Sequence, residues 1–97
     1  MKQFTVTWVA SAQNSLAQLY LDASNPQAVT DAANTIDSLL AKDPLKAGTH
    51  VQEELYSLDV IPLRVLYSVS EPDRLVEVAS VRRLDPPIRS NGQGQLL

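Results

Sequence analysis

The sequence predicts an α+β domain: an N-terminal strand, a helical hairpin and a three-stranded antiparallel meander (β-α-α-β-β-β), with the helices on one face of the sheet. Three observations predict it. Residues 3–9 alternate apolar and polar side chains with the period of a half-buried strand. Residues 11–43 carry two apolar stripes at helical spacing, separated by Asn25-Pro26. From Thr49 to Leu84, β-branched and aromatic residues return in runs divided by turn residues. Neither helical stripe can be buried without a second layer, and a sheet supplies it.

In the first strand Phe4, Val6 and Trp8 share one face, and Thr5 and Thr7 the other. Ser11 has the chemistry to cap the helix that follows. Ala12, Leu16, Leu19, Tyr20 and Ala23 form its stripe, to an end near Ser24. Asn25-Pro26 restarts the chain, because asparagine caps well and proline at the first helical position gives up an amide that would be unpaired anyway. Val29, Ala32, Ala33, Ile36, Leu39 and Leu40 keep the helical period to about Lys42, and Pro44 stops it. Lys42 and Lys46 flank that end, where a cation suits the helix dipole.

Gly48 marks a turn before a strand over Thr49–Leu58, in which Val51 and Leu55 lie on one parity and Tyr56 and Leu58 on the other. Ile61–Ser70 alternates cleanly, Leu63, Val65, Tyr67 and Val69 against Arg64, Leu66 and Ser68. Glu71-Pro72-Asp73 is a turn. Arg74–Leu84, rich in valine, has the near-continuous apolar character of an interior strand. Residues 1–84 make one domain, and residues 85–97, with two prolines and a polar, glycine-containing remainder, are expected to form a flexible tail.

Composition narrows the chemistry. The chain has 97 residues, 44% hydrophobic and 20% charged, which is the balance of an ordinary globular domain. With no cysteine there is neither a disulfide framework nor a thiolate zinc site. His50 is the one histidine, too few for a multi-histidine metal cage. The net charge of −3 argues against coating nucleic acid by bulk electrostatics, and no sequence-specific DNA binding is expected. Acidic residues dominate 53–77, whereas Arg82, Arg83 and Arg89 outnumber Asp85 in 82–97, so an anion site is expected near the end of the chain. No run approaches the roughly 20 apolar residues of a membrane helix. The expectation is a cytoplasmic domain without cofactor, metal or membrane contact.

Four segments point further: the opening "FTVTWVASA", "PLKAG" after the second helix, "LRVLYSV", and "VEVASVRR". In this order and spacing, over about residues 3–84, the chain resembles the RelE/ParE superfamily of bacterial toxins from type II toxin-antitoxin modules. The resemblance implies a cognate antitoxin as partner, growth inhibition, a role in plasmid stabilisation, and DNA gyrase or the ribosome as target. Members of the ribonuclease branch cut messenger RNA on the ribosome with lysines, arginines and a tyrosine or histidine near the C-terminal end. Attack by the 2′-oxygen needs a base, a donor to the leaving 5′-oxygen and cations around the phosphate.

By that resemblance Arg64 and Arg83 are the candidate catalytic cations and His50 the candidate acid–base group, although His50 lies away from the usual position. Arg64, Arg82 and Arg83 are the candidate partner-binding residues, and Tyr67 matches a tyrosine that more often packs than reacts. The segment after Leu84 holds no tyrosine, histidine or lysine. ParE-like members lack the nuclease residues and inhibit gyrase. Three readings stay open: an antitoxin-neutralised toxin without the full ribonuclease set, acting on gyrase or only weakly; a ribosome-dependent endoribonuclease using Arg64 and Arg83; and a non-toxic protein-binding domain.

Overall fold

The computed structural model describes residues 3–84. The elements run β1 (Thr5–Trp8), α1 (Ala10–Asp22), α2 (Pro26–Lys42), α3 (Pro44–Ala47), β2 (Thr49–Gln52), β3 (Leu55–Val60), β4 (Leu63–Ser70) and β5 (Leu75–Arg83). The strands form one sheet in the order β1-β5-β4-β3-β2; β1 pairs parallel with β5 and every other pair is antiparallel. This is the predicted α+β architecture, with β5 in the sheet interior. The tail expected at 85–97 lies outside the described residues.

The helices sit on one face. Val29, Ala32, Ile36 and Leu40 of α2 are buried against the sheet, and Ala12 is the buried residue of α1. Leu58, Leu63, Val65, Tyr67, Val76, Val78 and Val81 supply the sheet's half of the core. Fully burying a Val- or Leu-sized side chain contributes about 1.5–3 kcal/mol, so this layer contact holds the domain together. Asn25 caps α2, its side-chain oxygen accepting from the Ala28 amide at 3.4 Å, with Pro26 at the first helical position.

Three details differ from the sequence reading. The single strand expected over Thr49–Leu58 is a hairpin of two strands, β2 and β3, turning at Glu53-Glu54 with Glu53 at φ 47°. Its mixed parity follows from that reversal and from an irregularity between His50 and Gln52. Ser11 is not the cap of α1. The helix starts at Ala10 without a side-chain cap, because the Val9 amide still donates to the Val78 carbonyl and strand runs straight into helix.

The third difference is a bulge in β5. The register with β4 passes from Leu66↔Ser80 to Tyr67↔Val78, so Ala79 is the extra residue. Strict alternation after Val76 and Val78 would turn Val81 outward. The bulge turns it inward, 6% exposed, and inverts the facing of the two arginines that follow.

Candidate functional site

The sheet face away from the helices is assembled from β2–β5 in two adjacent rows. Residues opposite one another in a pair face the same way. Asp59 pairs with Arg64 and Arg64 with Arg82, giving one charged row. Thr49 pairs with Ser57, Ser57 with Leu66 and Leu66 with Ser80, giving a row rich in hydroxyls beside it. Hollows of about 530 and 250 Å³ lie over these rows and share Val51, Ser57 and Arg64.

Arg64 is held. Its Nε donates to Asp59 Oδ1 at 2.7 Å and its Nη2 to Asp59 Oδ2 at 2.9 Å, a two-pronged ion pair. Those bonds keep the Asp59 carboxyl below its ordinary range, with the charges of Arg64 and Arg82 adding to the effect against slight desolvation. The same bond raises the Arg64 guanidinium above its own ordinary value. Asp59 escaped the sequence reading. The signal was present: Asp59 and Arg64 are equidistant from the turn at Ile61-Pro62, so a hairpin centred there pairs them.

Arg83 does not join Arg64. It pairs with Leu63, on the helix side, and lines a small hollow with Leu19, Ala23 and Pro62. The expected Arg64–Arg83 constellation is therefore divided between the two faces, and Arg82 takes the place beside Arg64. The cause is the bulge at Ala79.

His50 is on neither row. It pairs with Tyr56, whose ring it meets edge-on at 5.2 Å between centroids, and its Nε2 contacts the Glu53 carbonyl oxygen. Tyr56 in turn stacks on Tyr67 at 5.6 Å. Tyr67 is a packing residue: it is fully buried, and its hydroxyl donates to the Pro44 carbonyl at 2.7 Å. Burial pushes that hydroxyl up to about 12, against the pull of a backbone hydrogen bond at Gly48.

A second feature is a hollow of about 610 Å³ between α1 and α2, lined by Trp8, Leu16, Tyr20, Leu21, Val29 and Ala33 among others. Tyr20 is 46% and Leu21 73% exposed. The carboxylate in this lining, Asp37, accepts from Trp8 Nε1 at 2.7 Å. The hollow is apolar and carries no acid–base pair. Among the described residues no three histidine, cysteine, aspartate or glutamate side chains gather as a metal-ion cluster, and no helix is long and apolar enough to cross a membrane.

No family model matches the chain, and no curated protein matches it. Solved structures do. The toxin-antitoxin complex RelBE2 from Mycobacterium tuberculosis superposes with a TM-score of 0.72 at 20% identity, over 86% of this chain and 93% of that one. The chain has the RelE/ParE toxin fold. The chromosomal ParDE toxin-antitoxin system from P. aeruginosa gives 0.67 at 16% identity, over 84% and 97%. The isolated E. coli RelE toxin gives 0.58 at 13% identity, over 86% and 86%. On this RelE/ParE fold the charged row of β3–β5 and the apolar hollow of α1 and α2 lie on opposite sides of the domain.

Proposed function

We propose that this protein is the toxin of a type II toxin-antitoxin module, acting without the ribonuclease chemistry and neutralised by a cognate antitoxin protein. The observation that carries the non-ribonuclease part is that, among the described residues, no histidine or tyrosine stands beside the Arg64–Arg82 row, and the carboxylate that does, Asp59, is tied up in its two-pronged ion pair with Arg64. His50, the one histidine of the chain, belongs to the opposite face with Tyr56, and Arg64 is bound to Asp59. Cleavage by the 2′-oxygen without a base or a donor to the leaving group loses the factors of roughly 10²–10⁴ that each such group contributes. The likeness to three toxin structures supports the toxin part. Inhibition of gyrase, or weak residual toxicity, is the mode of action that fits.

The apolar hollow between α1 and α2 is the surface on which an antitoxin helix docks in this reading, since an amphipathic helix buries its apolar face in such a groove. The test is induced expression in a bacterial host, alone and with the adjacent open reading frame, following growth, messenger RNA integrity and plasmid supercoiling. Growth arrest with intact messages and altered supercoiling, relieved by the neighbouring protein, is the expected result. Arrest with cleaved messages that disappears in a folded Arg83→Ala variant overturns it in favour of the endoribonuclease. No arrest at any expression level leaves the non-toxic binding domain.

A further inference from the structure

Among the described residues Asp37 is the one charged side chain in the lining of the hollow between α1 and α2, and no lysine or arginine stands there with it. Its Oδ1 accepts from Trp8 Nε1 at 2.7 Å, a bond that fixes the carboxylate against the indole at one end of the hollow, while Tyr20, Leu21 and Val29 line the other. Val29 and Asp37 lie about 12 Å apart along α2, at the helical rise of about 1.5 Å per residue. Uncovered, Asp37 is exposed to water. An apolar helix laid over the hollow takes that carboxylate out of water, and a covered carboxylate without a partner is strongly unfavourable. The occupant must therefore bring a cation to this end, where the carboxylate and the indole ring both attract it. The charge of the whole hairpin points the same way: α1 and α2 carry Asp22, Asp31 and Asp37 against Lys42 alone. The long helices of a second copy do not bring the cation, because α1 has none and Lys42 is the last residue of α2.

We propose that Asp37 selects the partner of the hollow: the segment that closes it is an amphipathic helix with apolar anchors over Tyr20, Leu21 and Val29 and, about two turns along the same face, an arginine or lysine that pairs with Asp37. A helix of the same apolar shape with a neutral or acidic residue at that position is rejected, because it leaves the carboxylate covered and unpaired or sets a second carboxylate against it. The inference rests on the reading of this hollow as the antitoxin's docking surface, and adds the charge that the antitoxin helix must carry. It is tested by peptide binding rather than by growth, so the two fail separately.

Trp8, the one tryptophan of the chain, reports on the Asp37 end directly. The experiment titrates the full chain with three tryptophan-free peptides, lactam-bridged on the far face to hold them helical, and follows the emission of Trp8. Each peptide has leucines at i, i+3 and i+4, with arginine, glutamine or glutamate at i+7. The arginine peptide is expected to bind the wild type about tenfold more tightly than the glutamine peptide, and the glutamate peptide to bind most weakly. The arginine preference should shrink as salt rises. Asp37→Asn keeps an acceptor for the Trp8 indole, and in this variant, once thermal unfolding shows it folded, the arginine and glutamine peptides must bind alike. Asp31→Asn removes an α2 carboxylate outside the hollow and must keep the preference. Equal binding of the two peptides to the wild type overturns the proposal. So does a preference that survives in Asp37→Asn or is lost as fully in Asp31→Asn, either of which makes it a matter of net charge. Tightest binding by the glutamate peptide assigns the hollow to an acidic helix instead, and no response of Trp8 to any peptide shows that a helix of this chemistry does not enter it; both outcomes overturn the proposal.

Discussion

Gly48 and Tyr67 act as one unit at the residue scale. A Cβ at Gly48 would fall 2.5 Å from the Ser57 carbonyl oxygen and closer still to the Tyr67 hydroxyl. Gly48 is therefore required by contact, since its φ of −115° is open to any residue. Gly48→Ala is expected to destabilise the protein by about 1–3 kcal/mol in urea unfolding, the usual cost of overpacking. Tyr67→Phe removes the donor to the buried Pro44 carbonyl and is expected to cost about 1–2 kcal/mol near neutral pH. The tyrosine also sets an alkaline limit. Its folded value of about 12 lies above the unfolded 10, so its contribution is complete below the unfolded value and is lost as pH rises between the two. Wild-type stability should therefore fall across that window, and Tyr67→Phe should lose this part of the fall, as denaturant titrations at stepped alkaline pH will read.

Among the elements, α2 carries the helical half of the core and α1 covers less. Ile36 and Leu40 are completely buried on α2, whereas Leu21 and Tyr20 of α1 remain open to solvent. Leu40→Ala is expected to cost about 2–5 kcal/mol, a large share of the roughly 5–15 kcal/mol that stabilises a domain. A calorimetric unfolding curve checks this, and a loss within a few tenths would show that the site collapses around the smaller side chain. The helices were legible because their stripes run long and Asn25-Pro26 punctuates them. The β2–β3 hairpin was not, because its turn residues, Glu53 and Glu54, carry no turn chemistry; Glu53 adopts φ 47° under constraint from the pairing on either side.

For the whole molecule, the two sides of the domain have separate surfaces: the charged and hydroxyl-bearing rows on the outer face of the sheet and an apolar hollow between the helices. Leu21→Glu is expected to leave thermal stability within about 0.5 kcal/mol, as for surface substitutions generally, because Leu21 is 73% exposed. In the proposed function the same variant keeps its toxicity but escapes the antitoxin, so co-expression no longer restores growth. Restored growth at the wild-type antitoxin level would place the antitoxin elsewhere on the domain.

The opening strand, the helical hairpin, the interior position of the last strand and the core face of β4 were all determined by the sequence, because apolar periodicity is a local property that survives without knowledge of partners. Tertiary structure alone decided the pairing of the arginines. Arg82 and Arg83 are neighbours in the chain, and which of them stands beside Arg64 depends on a bulge at Ala79 that no local preference marks. That one extra residue lets Val78 and Val81 both enter the core, and burying both valines turns Arg82, rather than Arg83, toward Arg64 and Asp59.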